Sequence, residues 1–169
     1  MEFIKVIRQR RSSRKFKKQA IPDNILMEML EAARLAPTSG NSQSHYFGVI
    51  KNEKVKTALA EAAGRQMWIA EAPVVTACCA DISWDIAEQP DDDFGVIVNK
   101  ARFGSDFIKY LNDYPNRKAC VTLFKNASPL IPTEHIFLTA VSHGLSACII
   151  GYLDKNVKDI NDIVFYDKW

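Results

Sequence analysis

The sequence predicts an α+β domain. Segments with the 3.6-residue apolar repeat of helices mix with short β-branched apolar runs, and the strict strand–helix–strand rhythm of a parallel α/β fold is missing. The 169 residues suffice for a hydrophobic core, so we expect one domain over residues 1–169. A hydrophobic content of 47% and a charged content of 25% are ordinary for a globular protein.

The N-terminal half is predicted to contain three helices and two strands. Asp23 is placed to cap the second helix. Pro37 should end that helix, because the residue before a proline is pushed out of the helical region. Gly64 is the expected stop of the third helix. In chain order, the predicted elements are a helix at 2–10, a helix at 24–36, a strand at 45–50, a helix at 53–63 and a strand at 72–80.

The second half is less regular. The acidic residues 81–93 are expected to form a surface loop or a short helix, and residues 96–112 one helix with Gly104 inside it. Pro132 suits the first turn of a later helix, which Gly144 ends. The other predicted elements are a turn at 112–118, a strand at 145–153, a short helix capped by Asp154 and a strand at 163–166.

No metal site and no membrane span is expected from the sequence. The four cysteines form no C-x-x-C pair and are predicted to be small buried hydrophobes in a reducing compartment. The three histidines stand in separate segments without zinc-site spacing. The N-terminus lacks a signal-peptide pattern, and no apolar run approaches the roughly 18 residues of a membrane helix. We therefore expect a soluble, cytoplasmic protein.

Positive charge is concentrated in "IRQRRSSRKFKK", residues 7–18. The net charge of the whole chain is only +2, so the excess is local, and a nucleic-acid partner is not expected. Arginine presents a planar fork of donors and serine adds a hydroxyl, and both suit phosphate oxygens. The segment is either a solvated charge run or a site for one phosphate.

Two further segments have the composition of binding segments. In "PTSGNSQS", residues 37–44, Ser39, Asn41 and Gln43 alternate along a loop. In "ACIIGY", residues 147–152, Gly151 lets a flat ligand approach the backbone N–H groups. Taken alone, these segments also fit an ordinary turn and a core strand. Signatures of nucleotide-binding loops and of serine hydrolases are absent, so an enzyme of this sequence would draw its reactive atom from a cofactor.

The order of "RRSSRKF", "AARLAPTSGNSQ" and a late "GLSACIIGYLD" resembles the nitroreductase family of flavin enzymes, from Phe3 to about Asp154. That resemblance implies a nitroreductase-like fold with a central, mostly antiparallel sheet flanked by helices. It also implies a homodimer with FMN at the dimer interface. Thr38 and Ser44 stand where the family usually has serine and proline, and the chain resembles a short member that ends before the family's longer C-terminal tail.

The resemblance implies three groups of cofactor-binding residues and one further position. The flavin phosphate and ribityl end would be held by Arg10, Arg11, Ser12 and Arg14, and Arg14 would also reach the N1–C2=O side of the ring. The loop that lines the flavin from the other subunit would supply Pro37, Thr38, Ser39 and Asn41. Backbone N–H groups near flavin N5 and O4 would come from Ile150 and Gly151, with Ile149 just before them. Some members place a flavin-contacting amide at the position of Gln66.

The activity that this resemblance implies is hydride transfer by a ping-pong reaction. NADH or NADPH would reduce FMN at N5 and leave before a small electrophilic acceptor, such as a nitroaromatic or a quinone, is reduced. A cation near N1 stabilises the negative charge of the reduced flavin, and no catalytic side chain is predicted. Two alternatives stay open: a non-catalytic flavin-binding or flavin-sensing module, and a binder of nucleic acid or anionic surfaces through residues 5–18.

Overall fold

The computed structural model describes residues 2–38, 43–81, 83 and 85–151. In chain order the α-helices are α1 (Phe3–Gln9), α2 (Asp23–Arg34), α3 (Glu53–Ala62), α4 (Trp68–Glu71), α5 (Phe94–Phe103), α6 (Phe107–Asp113), α7 (Arg117–Ala127) and α8 (Leu130–Ser142). The strands are β1 (His45–Ile50) and β2 (Val75–Ala80). The α+β class is therefore confirmed. None of the helices in these ranges is long and apolar enough to cross a membrane.

The chain divides into two compact units. The first contains the described parts of Met1–Ala36, Phe47–Cys78 and Leu130–Trp169, and the second contains those of Pro37–Tyr46 and Cys79–Pro129.

The core of the first unit lies between α2 and α8. Met29 and Ala33 of α2 pack against Ile136 and Ala140 of α8. Ala33 and Ala140 are almost completely buried. Because both are small, the two helix backbones can approach closely at this point. Ile25, Phe47, Cys78 and Leu145 complete the cluster.

The two strands form an antiparallel pair. They are neighbours in a two-stranded sheet, and the N–H group of Asp81 donates to the carbonyl of Ser44 at 2.8 Å. Gly48 faces Ala77, and a Cβ placed on Gly48 would lie 3.6 Å from the Ala77 Cβ. The expected strand at 45–50 is thus confirmed, and the strand expected at 72–80 is confirmed over 75–80.

A buried lysine connects α3 to the turn that follows α4. The Lys56 side chain is 2% exposed, and its Nζ donates to the carbonyl of Ala72 at 2.6 Å. Nζ also pairs with Glu53 Oε1 at 2.9 Å, but the Glu53 side chain is 79% exposed. The carbonyl is therefore the partner that loses most when the ammonium group is removed, since Glu53 can be hydrated instead.

We expect Lys56→Met to lower the free energy of unfolding by about 1 kcal/mol, because it leaves the Ala72 carbonyl without a partner. The matched control Glu53→Gln should cost less than about 0.5 kcal/mol, since exposed ion pairs contribute little. Urea unfolding of both variants measures the difference. A Glu53→Gln variant that is destabilised as much as Lys56→Met would show that the exposed pair is the important contact.

The second unit is helical among its described residues. Asp93 caps α5, and its side chain accepts from the N–H group of Val96 at 3.1 Å. The single helix expected at 96–112 is wrong, because the chain breaks at Gly104 between α5 and α6. Gly104 has a φ of 99°, which glycine adopts without the strain of a Cβ. Helix α7 was not predicted. Residues 86–88 form a 3-10 helix, within the segment expected to be a loop or a short helix.

Asp85 and Arg117 form a largely buried ion pair in this unit. The hydrogen bond from Arg117 is the main cause that lowers the pKa of the Asp85 carboxyl below its ordinary value of 3.8, with a smaller effect from the N–H group of Ala87, while burial opposes the shift. Because the pKa of this carboxyl is lower in the folded state, the carboxylate stabilises the fold at pH values above the unfolded-state pKa. This contribution is lost as the pH falls through the folded-state pKa.

We expect Asp85→Asn to lower the free energy of unfolding by about 1–2 kcal/mol at neutral pH, because Arg117 loses its charged partner. The difference from the parent should shrink as the pH falls from 3.8 through the lower folded-state pKa of Asp85, because the parent carboxyl becomes protonated first in the unfolded chain and then in the folded one. Chemical unfolding at a series of pH values measures this. The exposed Asp92 provides the control, and Asp92→Asn should leave the stability unchanged. A loss for Asp85→Asn that is constant with pH would contradict the assignment.

The predicted burial of the four cysteines is wrong, since Cys120 is exposed and the other three are half-buried.

Three further predictions concern secondary structure. The Asp23 cap is wrong: Pro22 is the N-cap, and Asp23 lies in the first turn, where it pairs with Lys51 at 2.9 Å. The strand expected at 145–153 is wrong over residues 145–151, where the structure has one isolated bridge. The helix after Asp154 and the strand at 163–166 lie outside the described residues.

Candidate functional site

The basic arm, residues 10–18, begins where α1 ends. Arg10 caps α1, and its N–H group donates to the carbonyl of Val6 at 3.0 Å. The Arg10 Cζ lies 5.5 Å from the centroid of the Phe137 ring, and Phe137 is buried in α8. The Arg11 Nη1 donates to the carbonyls of Arg8 at 3.0 Å and of Arg10 at 2.7 Å. The first two arginines of the arm are thus held near the end of α1.

Arg14 lies against an aromatic pair. Its Cζ is 5.8 Å from the centroid of the Trp68 ring, at the start of α4. The ring of Phe16, two residues further along the arm, stacks on Trp68 with 6.3 Å between centroids and 30° between planes. These contacts join the arm to the corner between α3 and α4. No local pattern in the sequence predicts this contact, because nothing in a single sequence pairs two distant aromatic residues such as Phe16 and Trp68.

Backbone contacts join the arm to the late segment, residues 147–151. Ser12 and Ala147 form a parallel β-bridge, and the N–H group of Ser13 donates to the Ala147 carbonyl at 2.9 Å. The structure therefore brings together two of the segments that the sequence predicted to bind a ligand, although they lie at opposite ends of the chain.

The late segment presents open backbone. Ile149 and Gly151 are exposed, and a Cβ built on Gly151 would meet no described atom within 4 Å. Ile150 is half-buried and packs on the cluster of Ala60, Ala63 and Ile69. Within the described ranges, the N–H groups of Ile150 and Gly151 donate no backbone hydrogen bond. Among the described residues, these two N–H groups are therefore not used by the backbone.

Gln66 lies at the same corner as Trp68. It is half-buried, and its Nε2 donates to the carbonyl of Ala63 at 2.8 Å. Gly64 and Arg65 just before it have φ values of 76° and 59°, which turn the chain sharply out of α3. Gly64 is thus confirmed as the end of this helix. One donor of the Gln66 amide is occupied by the turn itself.

The predicted flavin-lining loop is only partly described. Pro37 is exposed and Thr38 is half-buried, and both belong to the second unit. The Thr38 Oγ1 accepts from the N–H group of Gln43 at 3.1 Å, which closes the loop across its base. Ser39 and Asn41 lie outside the described residues.

The arginines of the arm have no acidic partner among the described residues, whereas some other surface cations do. Arg34 pairs with Glu31 at 2.7 Å, and Lys100 pairs with Asp91 at 2.7 Å. By contrast, no carboxylate of the described chain forms an ion pair with any of the three arm arginines, Arg10, Arg11 and Arg14. Guanidinium groups without an acidic partner, on an arm with serine hydroxyls, are a donor set that fits a phosphate.

The Cys79 thiol, in the second unit, is not an activated nucleophile. Burial raises the pKa of the Cys79 thiol and thus disfavours its reactive thiolate form. No cluster of metal-ligating side chains occurs among the described residues. The arrangement presents guanidinium and backbone N–H donors that suit an anionic ligand.

A family model described as "Nitroreductase family" matches residues 7–164 of the chain. A curated NADH dehydrogenase of Thermus thermophilus is 42% identical over 74 residues, which are 44% of this chain and 36% of that protein. An FMN reductase [NAD(P)H] of Bacillus subtilis is 33% identical over 82 residues, 48% of this chain and 33% of that protein. The aligned segments thus span about a third of the length of these curated relatives.

The fold has a counterpart among solved structures. NfrA2 of Bacillus megaterium superposes with a TM-score of 0.61 at 27% sequence identity. The superposition covers 86% of this chain and 53% of that chain. The expected nitroreductase-like fold is therefore confirmed, and the match extends over most of the present chain.

Proposed function

Because the chain belongs to the nitroreductase family, whose model matches residues 7–164, we propose that it is an FMN-dependent oxidoreductase. It would transfer hydride from NADH or NADPH to a small electrophilic acceptor, such as a nitroaromatic or a quinone. When bound, FMN supplies the hydride chemistry at N5, in a ping-pong cycle. Its relatives named as an FMN reductase and an NADH dehydrogenase support this proposal.

The observation that carries the proposal is the junction between the basic arm and the late segment. The Ser12–Ala147 bridge joins two segments. One carries three arginines that pair with no carboxylate of the described residues, and the other carries the N–H groups of Ile150 and Gly151, which donate no backbone hydrogen bond within the described ranges. FMN needs both features, since its phosphate is anionic and the edge of its ring carries hydrogen-bond acceptors. A nucleic-acid arm would need the arginines but not the open backbone.

Within this proposal the residues of the chain bind and orient the cofactor. The phosphate and ribityl end would be held by Arg10, Arg11, Ser12 and Arg14. Arg14 would also stabilise negative charge near N1, as a cation does for a reduced flavin. The ring edge would accept from Ile150 and Gly151, with Ile149 beside it, and Gln66 would add an amide contact. None of these residues has to act as an acid, a base or a nucleophile.

We also propose a homodimer in which Pro37, Thr38, Ser39 and Asn41 line the flavin of the partner subunit. Large apolar side chains are exposed on the first unit, and such surfaces commonly mark interfaces between proteins. They include Phe3, Ile4 and Ile7 on α1 and Leu130 and Ile131 at the start of α8. Sedimentation of the purified protein tests this, and a monomer at micromolar concentration would contradict it. The cytoplasmic location stays a prediction.

The test of the activity is a reduction assay on purified protein. Protein that is yellow, or becomes yellow with added FMN, should lose the visible absorbance of oxidised flavin when NADH or NADPH is added without oxygen. Addition of a quinone should then restore the absorbance. Protein that never retains FMN would contradict the proposal. Protein that retains FMN but is not reduced by either nucleotide would instead be a non-catalytic flavin-binding module.

A further inference from the structure

The Trp68 side chain contacts the basic arm and packs on the same buried cluster as Ile150 of the late segment. Its ring lies 5.8 Å from the Arg14 Cζ and stacks on Phe16. The same side chain packs on the buried cluster of Ala60, Ala63 and Ile69, on which Ile150 also packs. Trp68 therefore connects the basic arm to the buried cluster on which the late segment packs.

The contact with Trp68 can reduce the entropy that Arg14 loses when it binds a ligand. It is exposed, and no carboxylate of the described chain pairs with it. A free arginine side chain loses considerable rotamer entropy when it is ordered on a ligand. A cation over an aromatic face is attracted to the ring, and this attraction uses none of the N–H donors of the guanidinium. The contact can thus restrict Arg14 and leave its donors available to an anion.

We propose that Trp68 is a positioning residue that holds the Arg14 guanidinium in place for an anionic flavin. The inference rests on the proposed function, because it needs a flavin that Arg14 binds. Phe16 contributes by covering the indole ring, so that the arm carries both the cation and an aromatic partner of the same tryptophan. Trp68 would contribute to FMN affinity without touching FMN, and its contribution would depend entirely on Arg14.

The test is a double-mutant cycle on FMN affinity, with FMN titrated into the FMN-free forms of four proteins. These are the parent, Trp68→Leu, Arg14→Ala and the double variant. We expect Trp68→Leu to weaken FMN binding by about threefold to tenfold when Arg14 is present. In the Arg14→Ala background, the same change should alter the dissociation constant by less than about twofold.

A merely structural role would give a different pattern. If Trp68→Leu weakens FMN binding equally in both backgrounds, Trp68 acts through the fold and the proposal is overturned. An unchanged affinity in the parent background would also overturn it. If Trp68→Leu fails to fold, Trp68→Phe replaces it, and this variant keeps a ring whose attraction for cations is weaker. Trp68→Phe should show a smaller loss, which again disappears when Arg14 is alanine.

FMN binding to the parent protein, measured apart from the double-mutant cycle, distinguishes a failure of this inference from a failure of the proposed function. In a variant with Trp84→Phe and Trp169→Phe, Trp68 is the only tryptophan, and FMN should quench its emission as it binds. If the parent protein binds no FMN at all, the proposed function fails and the inference fails with it. If the parent binds FMN but the cycle shows no coupling between Trp68 and Arg14, only the inference fails.

Discussion

Replacing Phe137 by alanine is expected to lower the free energy of unfolding by about 3–5 kcal/mol, with a fall in Tm of roughly 10 °C. The Phe137 side chain is 3% exposed and packs with Val6 and Val141, so alanine leaves a cavity between α1 and α8. The ring also lies under the Arg10 guanidinium, which would lose its aromatic partner. Thermal and urea unfolding measure the loss.

The matched control for this prediction is Phe137→Leu, which keeps most of the apolar volume but removes the ring. Leucine should cost about 1.5 kcal/mol or less, because volume-conserving substitutions are tolerated best. If both variants lose the same free energy of unfolding, the aromatic contact with Arg10 contributes more to stability than the packing of the ring. If Phe137→Ala unfolds like the parent, Phe137 is not the core residue that its burial indicates.

Replacing Arg14 by alanine is expected to weaken FMN binding by about tenfold to a hundredfold, since a hydrogen bond to a charged group contributes on the order of 1.5–3 kcal/mol. Arg14 has no acidic partner in the described chain, so its removal leaves no buried protein charge unpaired and the fold should persist. Titration of FMN into the FMN-free protein, followed by flavin fluorescence, measures the change.

Two variants sharpen this experiment. Arg14→Lys keeps the charge but loses the planar fork, so its affinity should fall between those of the parent and Arg14→Ala. Lys17→Ala removes an exposed cation from the same arm and should change the affinity by less than about twofold. Equal losses for Arg14→Ala and Lys17→Ala would mean that the arm attracts FMN only by its total charge.

Elements with a regular apolar pattern were predicted well from the sequence. The 3.6-residue repeat located α2, α3 and α8, and the β-branched runs located β1 and β2. The failures lie where local patterns are ambiguous. The run at 96–112 kept a helical repeat across Gly104, but the positive φ at this glycine ends α5. The chain divides into two compact units, and one domain over residues 1–169 stays a prediction.

The sequence predicted which segments belong to the candidate site but not how these segments are arranged in space. The order of the arginine-rich segment, the small-residue loop and the late glycine segment was sufficient to indicate the family, and the match over residues 7–164 confirmed it. The roles of the individual residues stay predictions. A strand was predicted for the late segment because this segment is apolar. Among its described residues, however, only Ala147 forms a β-bridge, and its partner is Ser12.

The sequence by itself determined the fold class, the positions of the strongly periodic helices and the motifs that indicate a flavin enzyme. These properties depend on neighbouring residues, whose spacing is visible in the chain. Only the tertiary structure decided that Arg14 lies on Trp68 and that Ser12 pairs with Ala147. Such contacts join residues that are far apart in the chain, and they form because the packing of α1, α3, α4 and α8 brings their surroundings together. No local spacing encodes them.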